Sequence, residues 1–97
     1  MPYAPSFVDG IGAPLVFPEM FELAKRLLYR SLVVSLDEAR QALRLIAERN
    51  HVVSEGAGAV PIAAALGGLA GAGRVVCIVS GGNIDIDKLV GILDEAP

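Results

Sequence analysis

Ninety-seven residues, 54% hydrophobic and 20% charged with a mean hydropathy of +0.57, make room for one small domain and exclude intrinsic disorder. Eight basic residues stand against eleven acidic ones, a net charge of -3, and no basic cluster is longer than Lys25-Arg26, so the electrostatic footprint of nucleic-acid binding is absent. A domain this short buries only roughly 60 to 65% of its unfolded surface, and the apolar surplus implies that part of it meets another chain or further polypeptide.

In chain order, the first 18 residues hold four of the six prolines, which favours an extended arm over residues 1–17 with Tyr3, Phe7 and Phe17 as docking groups. A helix is predicted from Pro18 to about Tyr29 or Arg30, with Glu19 and Glu22 early, Lys25 and Arg26 late, and Met20, Ala24, Leu27 and Leu28 on one face. Ser31-Leu32-Val33-Val34 reads as a short strand because consecutive branched apolar residues favour a pleated, buried setting. Ser35-Leu36-Asp37-Glu38 matches a capping box and starts a helix to about Asn50 that buries Leu36, Ala39, Leu43, Ile46 and Ala47. A small-residue helix follows from Val60 to about Leu69, with Pro61 in its first turns and Gly71-Ala72-Gly73 as its stop. Arg74 to Ser80 is the best strand in the sequence, a continuous apolar run suited to a sheet covered on both faces. Ser80-Gly81-Gly82-Asn83 turns the chain, and Asp85 caps a last helix burying Ile86, Leu89, Val90 and Leu93. The order helix, strand, helix, helix, strand, helix implies an α/β class with parallel pairing; two strands alone make no satisfactory buried sheet.

One cysteine, Cys77, excludes an internal disulfide, and with one histidine, His51, no zinc-ligand spacing is present. Cys77 reads as a small buried hydrophobe, and His51 as a helix-end residue interacting with the last carbonyls. Asp85 and Asp87 alternate with isoleucines and suit capping better than metal binding. No secretory signal opens the chain, and the uncharged run Gly56 to Gly73 is too rich in Ala and Gly for a membrane span, so a cytoplasmic protein without a membrane partner is expected.

Two segments carry candidate chemistry. In open α/β sheets ligands bind beyond the carboxyl ends of strands, which places Ser80 where a side chain addresses a ligand, while Gly81 and Gly82 permit close backbone approach. A ligand-free strand-to-helix connection accounts for the bare pattern better, since glycine commonly just marks a turn. Glu55 lies between Val52-Val53-Ser54 and Gly56-Ala57-Gly58, where an acid ordinarily serves the helix dipole. Those glycines lack both the dinucleotide and the P-loop spacing, and Gly67 to Gly71 suits helix termination.

Taken together, Ser54-Glu55-Gly56-Ala57-Gly58-Ala59-Val60, then Val75-Val76-Cys77-Ile78-Val79-Ser80-Gly81-Gly82-Asn83-Ile84-Asp85, and upstream Val8-Asp9-Gly10-Ile11, resemble the C-terminal part of the threonine and serine dehydratase family. These are fold-type II pyridoxal-phosphate enzymes, a group that includes serine racemases and shares a tryptophan-synthase-β-like architecture. The resemblance covers nearly the whole chain, as a single α/β unit over 1–97, but only the C-terminal third of that family's catalytic domain. It implies cofactor-binding roles for Ser80, Glu55, Gly81, Asn83 and Gly56. Ser80 corresponds to the serine that hydrogen-bonds the pyridine nitrogen; a hydroxyl is too weak an acid to hold that nitrogen protonated, which leaves a weaker electron sink suited to β-elimination from a hydroxy amino acid. Glu55 corresponds to the acid near the cofactor ring, and Asn83 supports the turn that presents Ser80. Asp9 and Gly10 match a loop near the active site.

The family's chemistry requires a Schiff-base lysine and a glycine-rich phosphate loop. The sequence has only Lys25 and Lys88, both expected on helix surfaces, and no such loop. No catalytic residue and no metal ligand is assigned. The expectation is a portion of a pyridoxal-phosphate-dependent dehydratase, inactive by itself, completed by an N-terminal segment carrying the lysine, with a hydroxy amino acid as substrate only in the complete enzyme. The alternative is a non-catalytic α/β module, derived from that family, that self-associates as a homo-oligomer.

Overall fold

Ser35 starts the longest of the described helices, and does so as the spacing of Ser35 and Glu38 requires. In the computed structural model, which describes residues 6–8 and 16–94, the Ser35 hydroxyl accepts from the Glu38 N–H at 3.1 Å and the Glu38 carboxylate accepts from the Ser35 N–H at 3.0 Å. Both bonds satisfy donors that the first turn of a helix otherwise leaves unpaired. They also hold the Glu38 carboxyl below its ordinary pKa, the Ser35 backbone bond first and its hydroxyl second. Arg40 Nη1 meets Asp37 Oδ1 at 2.8 Å on the same turn. The helix spans Leu36–Asn50 and ends where His51 takes the left-handed conformation, φ 56° and ψ 36°, turning its own N–H and that of Val52 back to the Ile46 carbonyl.

Three further helices accompany it. In chain order they are α1 (Pro18–Leu27), α2 (Leu36–Asn50), α3 (Gly56–Leu66) and α4 (Ile86–Leu93). The core lies between α2 and α3, with α4 closing one side: Ala42, Leu43, Ala59, Ala63 and Ile92 are buried together, and Phe7, Val34, Ile62, Ile84 and Leu89 pack against them. Beside this cluster Val8, Ala39 and Ala57 form a second one that shares Phe7. The alanines of α3 let its backbone approach α2 closely, with Ala59 and Ala63 buried beside Ala42 and Leu43, while Gly56 is covered by Phe7 and Gly58 by Gly81 and Val79. The α2 register follows its expected periodicity at Ala39, Leu43 and Ile46, whereas Leu36 is exposed at the first helical position and Ala47 is half-buried.

The expected α/β class is not what forms. Among the described residues there are four helices and no strand, and neither 31–34 nor 74–80 joins a ladder. The branched apolar run that suggested a strand encodes a preference for burial on a pleated surface, and a strand exists only through a neighbour that takes its N–H and C=O groups. No described segment supplies one. Val76 is 90% exposed and Ile78 74% exposed, the reverse of a strand covered on both faces.

Smaller departures have local causes. Helix α1 ends at Leu27, earlier than its pattern predicts, because Leu28 turns to extended backbone, and its apolar side chains Met20, Phe21, Leu23 and Leu27 remain exposed. Helix α3 begins at Gly56 instead of Val60 and stops at Leu66, with Gly68, Gly71 and Gly73 at positive φ beyond it. Pro61 therefore sits inside the helix, where its missing N–H leaves the Ala57 carbonyl without its usual partner. Helix α4 turns Ile92 and Leu89 to α2 and leaves Ile86 and Val90 exposed; Asp85 holds the cap position with no side-chain cap bond. Of the arm, Phe7 and Val8 pack on the core and Phe17 is exposed, while Tyr3, Asp9, Gly10 and Ile11 lie outside the described residues.

Candidate functional site

The two segments singled out in the sequence lie against each other. The Glu55 N–H, at the N-cap of α3, donates to the Gly81 carbonyl at 2.9 Å. Around that bond the segments approach so closely that a Cβ added at any of three glycines would meet a neighbouring atom. A Cβ on Gly58 would stand 3.0 Å from the Gly81 carbonyl oxygen, one on Gly82 would stand 2.8 Å from the Val53 carbonyl oxygen, and one on Gly81 would meet Glu55 Oε1 at 2.7 Å. Ser54, fully buried, donates its hydroxyl to the Glu55 carbonyl at 3.0 Å and fixes the chain entering α3.

A third strip of backbone completes the arrangement. Gly56 is buried under Phe7, where a Cβ would lie 2.5 Å from the Phe7 carbonyl oxygen and 2.8 Å from its Cδ2. The Phe7 ring is in turn covered by the Arg40 guanidinium, 5.2 Å from the ring centroid. Phe7, Glu55, Asn83, Ile84, Asp85 and Lys88 line a cavity of about 190 Å³. This is smaller than the ~300–1,000 Å³ usual for a small-molecule site, so the described residues form part of an enclosure.

Of the five residues read from the sequence, Glu55 and Asn83 line this cavity, Gly81 lies directly beneath the Glu55 carboxylate, and Gly56 sits behind Phe7. Ser80 is exposed at the start of the turn and does not line the cavity. Phe7, Ile84, Asp85 and Lys88 were not anticipated as lining. Ile84 and Asp85 follow directly from the path of the turn, and Lys88 lies one helical turn beyond Asp85. The Gly56 and Gly58 pair signalled a close backbone approach, yet nothing local to those residues names Phe7 as the neighbour.

The electrostatics are mixed. Glu55 and Asp85 present carboxylates, and Lys88 Nζ stands 4.0 Å from Asp85 Oδ2 with about half of its side chain exposed. Lys25 lies apart on α1, 3.8 Å from Glu22. A wider apolar groove of about 350 Å³, lined by Ile46, Asn50, Val52, Ile62 and Val79, carries no titratable group. Cys77, partly buried, donates its thiol to the Pro61 carbonyl at 3.5 Å. No helix among the described residues is long and apolar enough to cross a membrane.

A family model described as pyridoxal-phosphate dependent enzyme matches residues 1–81. A Staphylococcus aureus (strain N315) protein named L-threonine dehydratase catabolic TdcB is 33% identical over 96 residues, covering 93% of this chain and 28% of that protein. A Thermotoga maritima L-threonine ammonia-lyase is 38% identical over 92 residues, covering 94% of this chain and 23% of that protein. The chain thus spans about a quarter of the length of these relatives.

Proposed function

The chain belongs to the pyridoxal-phosphate dependent enzyme family, and from that premise we propose that it is the C-terminal portion of a threonine or serine dehydratase. The reaction is elimination of the β-hydroxyl of a hydroxy amino acid as water, followed by hydrolytic release of ammonia to leave a 2-oxo acid. The observation that carries this reading is the hydrogen bond from Glu55 N–H to the Gly81 carbonyl, which joins the acid-glycine segment to the turn presenting Ser80.

The donor set fits one edge of the cofactor. Ser80 offers an uncharged hydroxyl on an exposed turn, matched to a pyridine nitrogen, and Glu55 and Asn83 offer polar groups across the adjoining cavity. The cofactor, when bound, supplies the electron sink that makes the α-proton removable. This chain's own residues would bind and orient: Ser80 would hold the ring nitrogen, Gly81 and Gly82 would let the backbone come close, and the Glu55 to Gly81 bond sets the turn against α3. Lys88 does not serve as the base in this reading, since it stands beside Asp85 on its own helix. The lysine and the phosphate loop come from polypeptide outside this sequence, and the chain by itself is inactive.

Two measurements test the proposal. A chimera in which this chain replaces the corresponding quarter of the Thermotoga maritima L-threonine ammonia-lyase is expected to release a 2-oxo acid from threonine or serine. A folded chimera that binds pyridoxal phosphate yet releases none from either substrate overturns it. The isolated chain, mixed with pyridoxal phosphate and reduced with borohydride, is expected to gain no specific adduct by intact mass; stoichiometric labelling of Lys25 or Lys88 contradicts the assigned division of labour.

A further inference from the structure

The geometry points to Arg40 as a positioning residue for the cavity wall that the proposed function gives to the cofactor, acting through the ring of Phe7. The inference rests on that reading for its functional meaning and on contacts of this chain for its mechanism. Phe7 makes two contacts. Its backbone and Cδ2 press on Gly56 so closely that no Cβ fits, and the Arg40 guanidinium lies 5.2 Å from its ring centroid. The same ring lines the cavity beside Glu55.

Arg40 is itself held. Its Nη1 meets Asp37 Oδ1 at 2.8 Å, one turn back on α2, so the guanidinium is anchored on the helix whose start is fixed by the Ser35 capping box. A planar cation covers an aromatic face and donates in its plane to a carboxylate at once, which an ammonium does less well. The line Asp37, Arg40, Phe7, Gly56 therefore transmits the position of α2 to the first turn of α3, next to the Glu55 carboxylate. Arg40 does not itself line the cavity and acts through Phe7. It keeps Phe7 from swinging away and opening the wall.

The test measures the ring position directly in the 97-residue chain. The Gly56 α-protons lie beside Cδ2 of Phe7 and are expected to carry a ring-current displacement, which Phe7→Leu abolishes and so calibrates. Arg40→Met is expected to remove most of that displacement and Arg40→Lys to restore part of it. In the chimera described above, Arg40→Met is expected to weaken pyridoxal-phosphate affinity by about two- to fivefold, the equilibrium equivalent of one part-exposed cation–π contact. If Arg40→Met lowers the melting temperature but leaves the Gly56 displacement at its original value, Arg40 is merely structural and the inference is overturned. A displacement that follows Arg40 in a chimera that never binds the cofactor supports the positioning role and tells against the proposed function instead.

Discussion

Two glycine-to-alanine substitutions in helices are expected to change stability in opposite directions. At Gly91, in α4, an added Cβ meets nothing within 4 Å, so alanine there gains helix propensity and reduces unfolded-state freedom, about 0.5–1 kcal/mol of stabilisation. At Gly56 the same methyl would lie 2.5 Å from the Phe7 carbonyl oxygen and 3.0 Å from its carbonyl carbon, both backbone atoms that cannot rotate aside. Gly56 is also the first residue of α3, where a propensity gain is smaller than in a helix interior. Overpacking of this kind costs about 1–3 kcal/mol. If the arm lifts away to relieve it, Val8, only 7% exposed, loses its burial at about 1.5–3 kcal/mol. Either route leaves Gly56→Ala about 1–2 kcal/mol less stable than the parent. Urea unfolding followed by circular dichroism, with the slopes compared to verify that the denatured states match, reports both variants on one scale. Equal stabilisation by the two alanines would refute the close approach of Phe7 to α3.

Further predictions concern the cap and the turn. Ser35→Ala removes the acceptor for the Glu38 N–H and is expected to cost about 1 kcal/mol near neutral pH by the same assay. Because the folded pKa of Glu38 is depressed, its contribution is present above the unfolded value and is lost as pH falls through the folded one; the difference between parent and Ser35→Ala should therefore narrow on acidification, and a gap that widens contradicts the assignment. Gly81→Ala places a methyl 2.7 Å from Glu55 Oε1, the end of a side chain free to move, so stability should stay within about 0.5 kcal/mol of the parent. The carboxylate must shift, and carbon NMR of the Glu55 carboxyl should show it while hydrogen exchange at the Glu55 amide remains protected.

What was legible in the sequence was local. The Ser35 and Glu38 pair, the α2 spacing of Ala39, Leu43 and Ile46, and the acid beside Gly56 each depend on neighbours within a few residues, and each appears where the pattern placed it. Strands at 31–34 and 74–80 required partners that no local pattern supplies, and the described residues contain none. The apolar surplus read from composition shows up as exposed side chains on α1 and along 75–79. For the site, one hydrogen bond joins Glu55 to Gly81 and one cavity is lined by Glu55 and Asn83, while Ser80 is exposed and lies outside it. Phe7 did not announce itself, because its role depends on a packing between residues 49 positions apart, from position 7 to position 56, for which Gly56 gives only the negative half of the signal.

The absence of a ladder at 74–80 bears on how the Ser80 turn is held. A turn that follows an unpaired segment ordinarily inherits its freedom, yet here the turn is fixed from its far side. The Gly81 carbonyl accepts from Glu55 N–H, Gly82 lies against the Val53 carbonyl, and the Gly58 backbone lies under Gly81. These contacts belong to α3 and the segment leading into it, which are buried against α2 through Ala57, Ala59 and Ala63. The position of Gly81 therefore depends on the helical core and not on pairing of Arg74 to Val79. Ser80, one residue earlier, is held on one side only, which accounts for its exposure while Glu55 and Asn83 already line a cavity. On the proposed reading, polypeptide that covers Val76 and Ile78 would restrain Ser80 and leave the Glu55 to Gly81 bond as it is.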